Sequence, residues 1–318
     1  MKAAVHTRYG PPEVVRVSDV EKPTAKDNEV LVKVHATTVN RTDCGFRAAK
    51  PFIVRFFSGL FRPRVTVLGN EFAGEVEAVG SGVTSFEVGD RVFGYSEGPF
   101  GAHAEYMAIP EDGLLAIMPA NLSYEEAAPS TEGSHYALSF ITTAKIQSGH
   151  DVLVNGATGA IGSAAVQLLK SVGADVTATC DAQNVERVRG LGADRVIDYT
   201  AEDFTSRGRR YDVIMDNQGN ATYPRVKGSL APGGRVLMVN GDLWPTIAAS
   251  WQKAVVRGTA TISANHLQTL LALTEGGALR PVIDSVWPFD KIVHAHRRVD
   301  GGHKAGSVVV TFDHAVAT

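Results

Sequence analysis

Residues Val152–Asp181 read VLVNGATGAIGSAAVQLLKSVGADVTATCD. An apolar run enters a glycine-rich turn, a helix-like segment follows, and a second apolar run closes on an acid. The pattern predicts a strand over 151–155, a helix from about Ala160 to Val172, and a strand over 175–179. The glycines fall at 156, 159 and 162, a G-x-x-G-x-x-G spacing rather than the commoner G-x-G-x-x-G. Glycines alone are a weak signal; the strand–turn–helix–strand context carries the inference. Gly159 permits close backbone approach, and Gly162 lets the helix pack against the strand. The helix N-terminus then offers free N–H groups and a positive dipole end to a phosphate. Gly156, Ala157, Thr158, Gly159, Ala160, Ile161 and Gly162 are therefore expected to cradle the pyrophosphate of a dinucleotide. The plainer alternative is a helix start in an α/β protein that binds nothing there.

The tip of the second strand, Thr179-Cys180-Asp181, bears on which dinucleotide. An acid at this tip accepts hydrogen bonds from a ribose 2′-hydroxyl and repels a 2′-phosphate. Thr179 falls at the position expected to face the ribose, and Asp181 lies two residues beyond. Asp181 equally suits an N-cap for the following AQNVERV, a role Asp fills often. The sequence leaves both roles open.

Outward from this unit, the chain of 318 residues is long enough for two domains. It is 44% hydrophobic and 20% charged, with a formal net charge of −3. That balance implies no bulk attraction to nucleic acid or to an anionic membrane. No apolar run approaches the roughly 18 residues of a membrane span. MKAAVHTRYGPPEVV at the N-terminus has no apolar core, so no signal peptide is expected. The two cysteines, Cys44 and Cys180, exclude a disulfide framework and fit a reducing cytoplasm.

Three regions differ in texture. Up to about residue 120, short β-type runs such as EVLVKVHATTV, AGEVEAVGSGV and GDRVFGY alternate with Gly and Pro turns. A mostly antiparallel β region is expected. From about 122 to 262, DVLVN, DVTAT, RVIDY, YDVIMD and GRVLMVN alternate with helical stretches, the pattern of a parallel sheet with crossover helices. From about 266 the chain returns to strand-like VIDSVW and SVVVTF. That tail is too short to fold alone and is expected to rejoin the first region. The division is then 1–122 with 266–318 for one domain and 123–265 for the domain inserted in it.

With those residues laid out, the chain resembles the medium-chain dehydrogenase/reductase superfamily, in its zinc-less quinone-oxidoreductase (zeta-crystallin-like) branch. NEVLVKVHATTVNRTDCGFR, LGNEFAGEVEAVGSGVTSFEVGDRVFGY, LAPGGRVLMVNG and GHKAGSVVV carry the resemblance over nearly the whole chain. It implies an α/β fold: a Rossmann doubly wound parallel sheet domain inserted in a β-rich GroES-like domain. It also implies NADPH-dependent reduction of quinones or α,β-unsaturated carbonyls. Zinc enzymes of the superfamily place Cys, a His-Glu pair and another Cys at the metal. Here the matching positions carry Asn40 or its neighbours, Asn70-Glu71 and Ala128-Pro129, with Cys44 a few residues away. Zinc wants four N, S or O ligands, so no zinc is expected.

The resemblance places Asn40 at the nicotinamide ribose and substrate cleft as an amide donor, with Asp43 and Arg47 on the same segment. Arg47 can polarise a carbonyl oxygen; its plainer reading is a surface arginine. Thr131 and the start of EGSHYAL match residues set against the nicotinamide; His135, close to the cleft by the same matching, could relay a proton, and its plainer reading is a capped or core histidine. Tyr199 matches a tyrosine that reaches the 2′-phosphate in NADPH-binding relatives, whereas Asn184 stands where such relatives carry Lys or Arg. Asn217, Gln218 and Gly241 close the cofactor set with Thr179, Cys180 and Asp181. The cofactor expected is NADP(H), with NAD(H) as the alternative. The partners expected are a small quinone or enone and a second copy of the chain, paired through Gly258–Asn265, with no nucleic acid and no membrane. The family tyrosine that follows the Asn40 segment is missing from FRAAKPFIVRFFSGLFRPR. The six apolar residues Phe52, Ile53, Val54, Phe56, Phe57 and Leu60, with Phe61, read as an amphipathic helix packed on the β domain, or as an apolar lip of the cleft. Two other readings stay open: a nucleotide-binding sensor without turnover, and an alcohol dehydrogenase with an unusual metal site.

Overall fold

The computed structural model describes residues 1–96, 98–239, 254–256 and 264–314. The chain divides into two compact units, Met1–Thr131 with Pro281–Thr318, and Glu132–Arg280.

The first unit opens with strands β1 (Lys2–Val5) and β2 (Arg16–Asp19), paired antiparallel. The long strand β3 (Glu29–Val39) follows, with β4 (Glu71–Val79), β5 (Arg91–Tyr95), β6 (Tyr106–Pro110) and β7 (Leu114–Ile117). Three short helices interrupt them: α1 (Arg41–Ala48), α2 (Val54–Ser58) and α3 (Tyr124–Ala127).

In the second unit, β8 (Asp151–Asn155), β9 (Asp175–Cys180), β10 (Arg195–Asp198), β11 (Tyr211–Asp216), β12 (Leu230–Met238) and β13 (Val255–Val256) form a parallel sheet in the order β10-β9-β8-β11-β12-β13. Among the described residues its helices are α4 (Glu132–Thr143), α5 (Ala160–Ser171), α6 (Val185–Gly190), α7 (Tyr223–Val226) and α8 (Ala264–Glu275). Two strands to one side of β8 and three to the other make the doubly wound arrangement. Between their polar ends, the two central strands β8 and β11 are apolar, Val152–Val154 and Val213–Met215. Val152, Leu153 and Val154 are wholly buried, and so are Ile214 and Met215. Strands covered on both faces need such runs.

The chain then returns to the first unit. Strand β14 (Ile283–Pro288), helix α9 (Ile292–Asp300) and strand β15 (Ser307–Thr311) complete it. The large sheet runs β14-β15-β3-β4-β5-β7, with β6 also on β3, antiparallel except for the β14–β15 pair. The return comes later than the composition suggests. The sequence places it near residue 266, but α8 belongs to the second unit, where Leu270 and Leu279 join the core of Val166, Leu169 and Met215. The Gln167 side chain fixes the end of this segment by bonding both the N–H and the carbonyl of Arg280.

Candidate functional site

The glycine turn of the second unit is held by a ring of buried polar groups at the carboxyl ends of β8, β9 and β11. Gly156 has φ +83°, a left-handed conformation that glycine adopts without strain. Its N–H donates to Thr179 Oγ1 at 2.9 Å, and the Ala157 N–H donates to the Thr179 carbonyl at 2.9 Å. Thr179 Oγ1 in turn donates to Asn155 Oδ1 at 2.9 Å. Asn155 Nδ2 donates to Asp216 Oδ1 at 2.8 Å and to Asn220 Oδ1 at 2.7 Å.

Asp216, wholly buried, organises a second turn. Its carboxylate accepts the N–H groups of Gln218 and Gly219 at 3.1 Å each and of Ala221 at 2.8 Å. The exposed Gln218 side chain then lies over the glycine turn: a Cβ on Gly156 would stand 2.5 Å from its Nε2. Asn217 is buried, and its N–H donates to the Asn155 carbonyl at 3.0 Å. Gly241 lies outside the described residues, as does 258–263 of the expected pairing segment; its last two residues, Ala264 and Asn265, begin α8.

Helix α5 starts on Gly159 with no side chain capping it. A Cβ at Gly159 would meet no atom within 4 Å, so the space above the first turn is open. At Gly162 the opposite holds: a Cβ would stand 2.1 Å from the Gly156 carbonyl oxygen. The turn is therefore tight beneath and open above, with half-buried Thr158, Gly159, Ala160 and Ile161 along the open edge. Uncapped N–H groups at the start of a helix of this length suit a pyrophosphate. The residues fit a dinucleotide.

The strand tip corrects one expectation. Thr179 does not face a ribose; it is wholly buried, and its hydroxyl is spent on Gly156 and Asn155. Strand β9 runs one residue further than predicted, so Cys180 is also buried in it. Asp181 is the first residue beyond, and the cap alternative is observed. Its carboxylate accepts the Asn184 N–H at 3.1 Å and holds Asn184 Nδ2 at 2.8 and 3.1 Å. Tyr199 follows β10, is 54% exposed, and bonds through its N–H to the Cys180 carbonyl. Arg209 is tied to Asp151, at the opposite end of the sheet from the glycine turn. His135 is buried in α4 beside the rings of Tyr136 and His266.

In the first unit, Asn40 is the N-cap of α1. Its Oδ1 accepts the Asp43 N–H and the Asp43 carboxylate accepts the Asn40 N–H, both at 3.0 Å: a reciprocal capping box. The cap locks the Asn40 amide so that Nδ2 donates to Asn70 Oδ1 at 2.6 Å. Asn70 Nδ2 donates to the Tyr95 hydroxyl at 3.3 Å. The neighbouring Glu71 carboxylate accepts Thr38 Oγ1 at 2.6 Å and Thr131 Oγ1 at 3.0 Å. The positions that match the metal ligands of the zinc enzymes thus converge, but an amide pair joins them. Among the described residues, no group of three or more His, Cys, Asp or Glu side chains could hold a metal ion.

Asp43 and Arg47 are not placed as sequence reasoning suggested. Asp43 is wholly buried, with Oδ1 on the Gly69 N–H at 2.9 Å and Oδ2 on the α1 cap. Burial pushes its carboxyl above the usual range, against the pull of His103 and the two N–H groups. Arg47 is no surface arginine but 1% exposed. Its guanidinium bonds Asp300 at 2.6 Å, His296 Nδ1 at 3.1 Å and the Gly10 carbonyl at 3.2 Å. Both residues hold α1 against the rest of this unit and position Asn40. Burial, helped by His103 and Arg47, keeps His296 well below its ordinary pKa, hence neutral.

Sequence reasoning passed over Asn155, Asp216, Asn220 and Tyr95. The available signal was a polar residue closing each apolar run: DVLVN, YDVIMD and RVFGY. Of the two readings of the segment after α1, the amphipathic helix packed on the β domain is not what forms. The helix there is only Val54–Ser58, and the large apolar side chains around it point outward rather than into a core.

Two family models match the chain: an alcohol dehydrogenase GroES-like domain over residues 26–119 and a zinc-binding dehydrogenase over residues 191–310. Among curated relatives, a 2-methylene-furan-3-one reductase of Solanum lycopersicum is 35% identical over 98% of this chain and 79% of its own. A chloroplastic NADPH-dependent alkenal/one oxidoreductase of Arabidopsis thaliana is 32% identical over the same shares. The solved quinone oxidoreductase of Coxiella burnetii superposes with a TM-score of 0.87 at 27% identity, covering 98% of this chain and 99% of that one. The chain belongs to the medium-chain dehydrogenase/reductase superfamily, in its quinone-oxidoreductase branch.

Proposed function

We propose that this chain is a zinc-independent, NADPH-dependent oxidoreductase that reduces quinones or α,β-unsaturated carbonyls. The observation that carries the reading is the uncapped start of α5 above a glycine turn braced by Thr179, Asn155 and Asp216. The names of the relatives supply the acceptor class. A bound nicotinamide supplies the hydride. The turn and the first N–H groups of α5 would hold the pyrophosphate, with Gln218 and Asn217 beside the turn. Asn40, fixed by Asp43 and Asn70, offers an amide N–H to the oxygen on which charge develops. Amide donors do the task that a metal performs in the zinc enzymes.

The 2′-phosphate is assigned to the neighbourhood of Tyr199 and Asn184. Support comes from the NADPH-dependent relative and from Tyr199, which is exposed just beyond β10. Asp181 and Asp198 at the same sheet ends favour NADH, the second reading. The protein works as a homodimer in a reducing cytoplasm; both cysteines are free and buried, and burial pushes Cys180 up to about 11. The test is a panel of quinones and enones offered with NADPH and NADH side by side, together with sedimentation of the purified chain. Nucleotide binding without turnover on any acceptor would support a sensor instead. Stoichiometric zinc that activity requires would support the metal enzyme.

A further inference from the structure

The segment after α1 is built inside out. Ser58 and Gly59 are buried while Phe61, Phe57, Phe56 and Phe52 are 84%, 75%, 67% and 63% exposed. Leu60 and Ile53 are exposed beside them. The inversion is fixed by bonds. The Tyr9 hydroxyl donates to the Gly59 carbonyl at 2.5 Å and lies 2.8 Å from Ser58 Oγ, which donates to the Val54 carbonyl at 2.9 Å. The Arg64 N–H donates to the Ser58 carbonyl at 2.8 Å. Gly59 has φ +119°, and a Cβ there would stand 2.1 Å from the Arg62 carbonyl oxygen. The backbone is thus pinned from beneath, and six large apolar side chains within ten consecutive residues are left exposed, with the Phe52 and Phe56 rings in contact. Isolated exposed apolar residues need no explanation, but a patch of this size does.

Charge identifies what covers it. Between Asp43 and Glu71 the sequence contains no acid, and it contains Arg47, Lys50, Arg55, Arg62 and Arg64. Arg47 is buried in its own ion pair. Arg55 lies over the rings of Tyr9 and Phe52, at 4.8 and 5.5 Å. Lys50, Arg62 and Arg64 are exposed on the same stretch of chain, and among the described residues none forms an ion pair with an acid. The chain as a whole carries −3, so this cationic stretch is local. Screening over about 10 Å keeps distant acids from cancelling it. A second copy would set arginines against arginines across a two-fold axis. Exposed aromatic and aliphatic side chains with unpaired Arg and Lys interleaved along the same segment match an anionic lipid surface.

We propose that residues 51–64 form an interfacial anchor: Phe52, Phe56, Phe57, Leu60 and Phe61 enter the headgroup region of an anionic bilayer, and Lys50, Arg62 and Arg64 pair with lipid phosphates. The chain then lies on a membrane rather than spanning it; among the described residues no helix is long and apolar enough to cross one.

The test is sedimentation of the full chain with vesicles of phosphatidylcholine alone and of phosphatidylcholine with phosphatidylserine. The chain is expected to sediment with the anionic vesicles only, and to be released by salt. Near such a surface each basic side chain is worth about fivefold in partitioning. Arg62→Gln with Arg64→Gln should weaken binding by roughly thirtyfold on that basis. Phe57→Ser with Phe61→Ser should abolish it at an unchanged thermal midpoint. Failure to sediment with anionic vesicles overturns the proposal, as does binding that neither pair of substitutions weakens. Two further results would reassign the patch. A dimer that the Phe57/Phe61 pair dissociates makes it a contact between copies. Loss of kcat/KM on a water-soluble acceptor, with no vesicle binding by the native chain, makes it a lip of the site.

Discussion

Asp216 is the keystone of the proposed cofactor site, and replacing it tests the argument most directly. Its carboxylate accepts from Asn155 Nδ2 and from the N–H groups of Gln218, Gly219 and Ala221. In Asp216→Asn the remaining carbonyl can keep the three donors that share Oδ1. The new amide nitrogen then faces the Ala221 N–H, donor against donor. Ala221 is wholly buried and water cannot repair the mismatch. One bond to a charged group lost, with a buried donor stranded, costs about 2 kcal/mol. In Asp216→Ala all four donors lose their acceptor. Gln218 is exposed and Gly219 half-buried, so both can turn to water; Asn155 and Ala221 cannot. Two stranded buried donors bring the loss to about 4 kcal/mol. In a domain of this size that is a fall of roughly 4–8 °C in Tm for Asn and about twice that for Ala. Thermal unfolding followed by circular dichroism reads the first effect, and nucleotide titration of the folded protein reads the second. Affinity should fall in both variants, because the turn bearing Gln218 leans on Gly156. The reasoning is refuted if Asp216→Asn unfolds within 1 °C of the native chain, or if nucleotide affinity survives in Asp216→Ala.

Arg47→Met should destabilise by about 2–3 kcal/mol, leaving Asp300 and His296 without their partner; the Asp300 side chain is 35% exposed, so water recovers part of the loss. Loss of kcat at unchanged stability would instead return Arg47 to the chemistry. Burial lowers the pKa of His6, His35 and His296 in the folded state, His35 to about 4. The unfolded chain therefore binds their protons first, and stability falls as the pH drops below about 6.5, by up to ~1.4 kcal/mol per pH unit for each group. Denaturant midpoints at pH 7.5, 6 and 5 should decline in that order; flat midpoints would contradict the burial of these rings. Asp181→Ser keeps the cap on Asn184 and removes a charge, so the NADPH/NADH affinity ratio should rise about five- to tenfold, on the order of 1 kcal/mol of relieved repulsion. An unchanged ratio would make Asp181 a cap alone.

The strand before the glycine turn and the helix after it were legible because their signals are local: an apolar run, three glycines, an amphipathic repeat. The parity of β9 was not. One extra strand residue decided that Thr179 points into the turn and that Asp181 stands outside, and the register came from pairing with β8. Arg47 looked like surface because its partners, His296 and Asp300, lie on α9, 249 and 253 residues away. The Asn155–Asp216–Asn220 cluster was hidden for the same reason, since Asn155 and Asp216 only look like polar ends to strands and Asn220 like a turn residue. The segment around α2 misled in another way: apolar composition implies burial only where something packs against it.

The pairing of β15 with β3, which sets Val308 opposite Val39, has a consequence for how the molecule is made. On the ribosome, β3 emerges long before the strand that covers its flank, and the whole nucleotide unit is synthesised in between. That unit, Glu132–Arg280, is continuous and can fold as it appears. The first unit meanwhile waits with an open edge rich in Val and Thr, a template for wrong pairing. Newly made chains are thus most exposed to aggregation, and most dependent on chaperones, in the interval between the two halves of the β-rich unit.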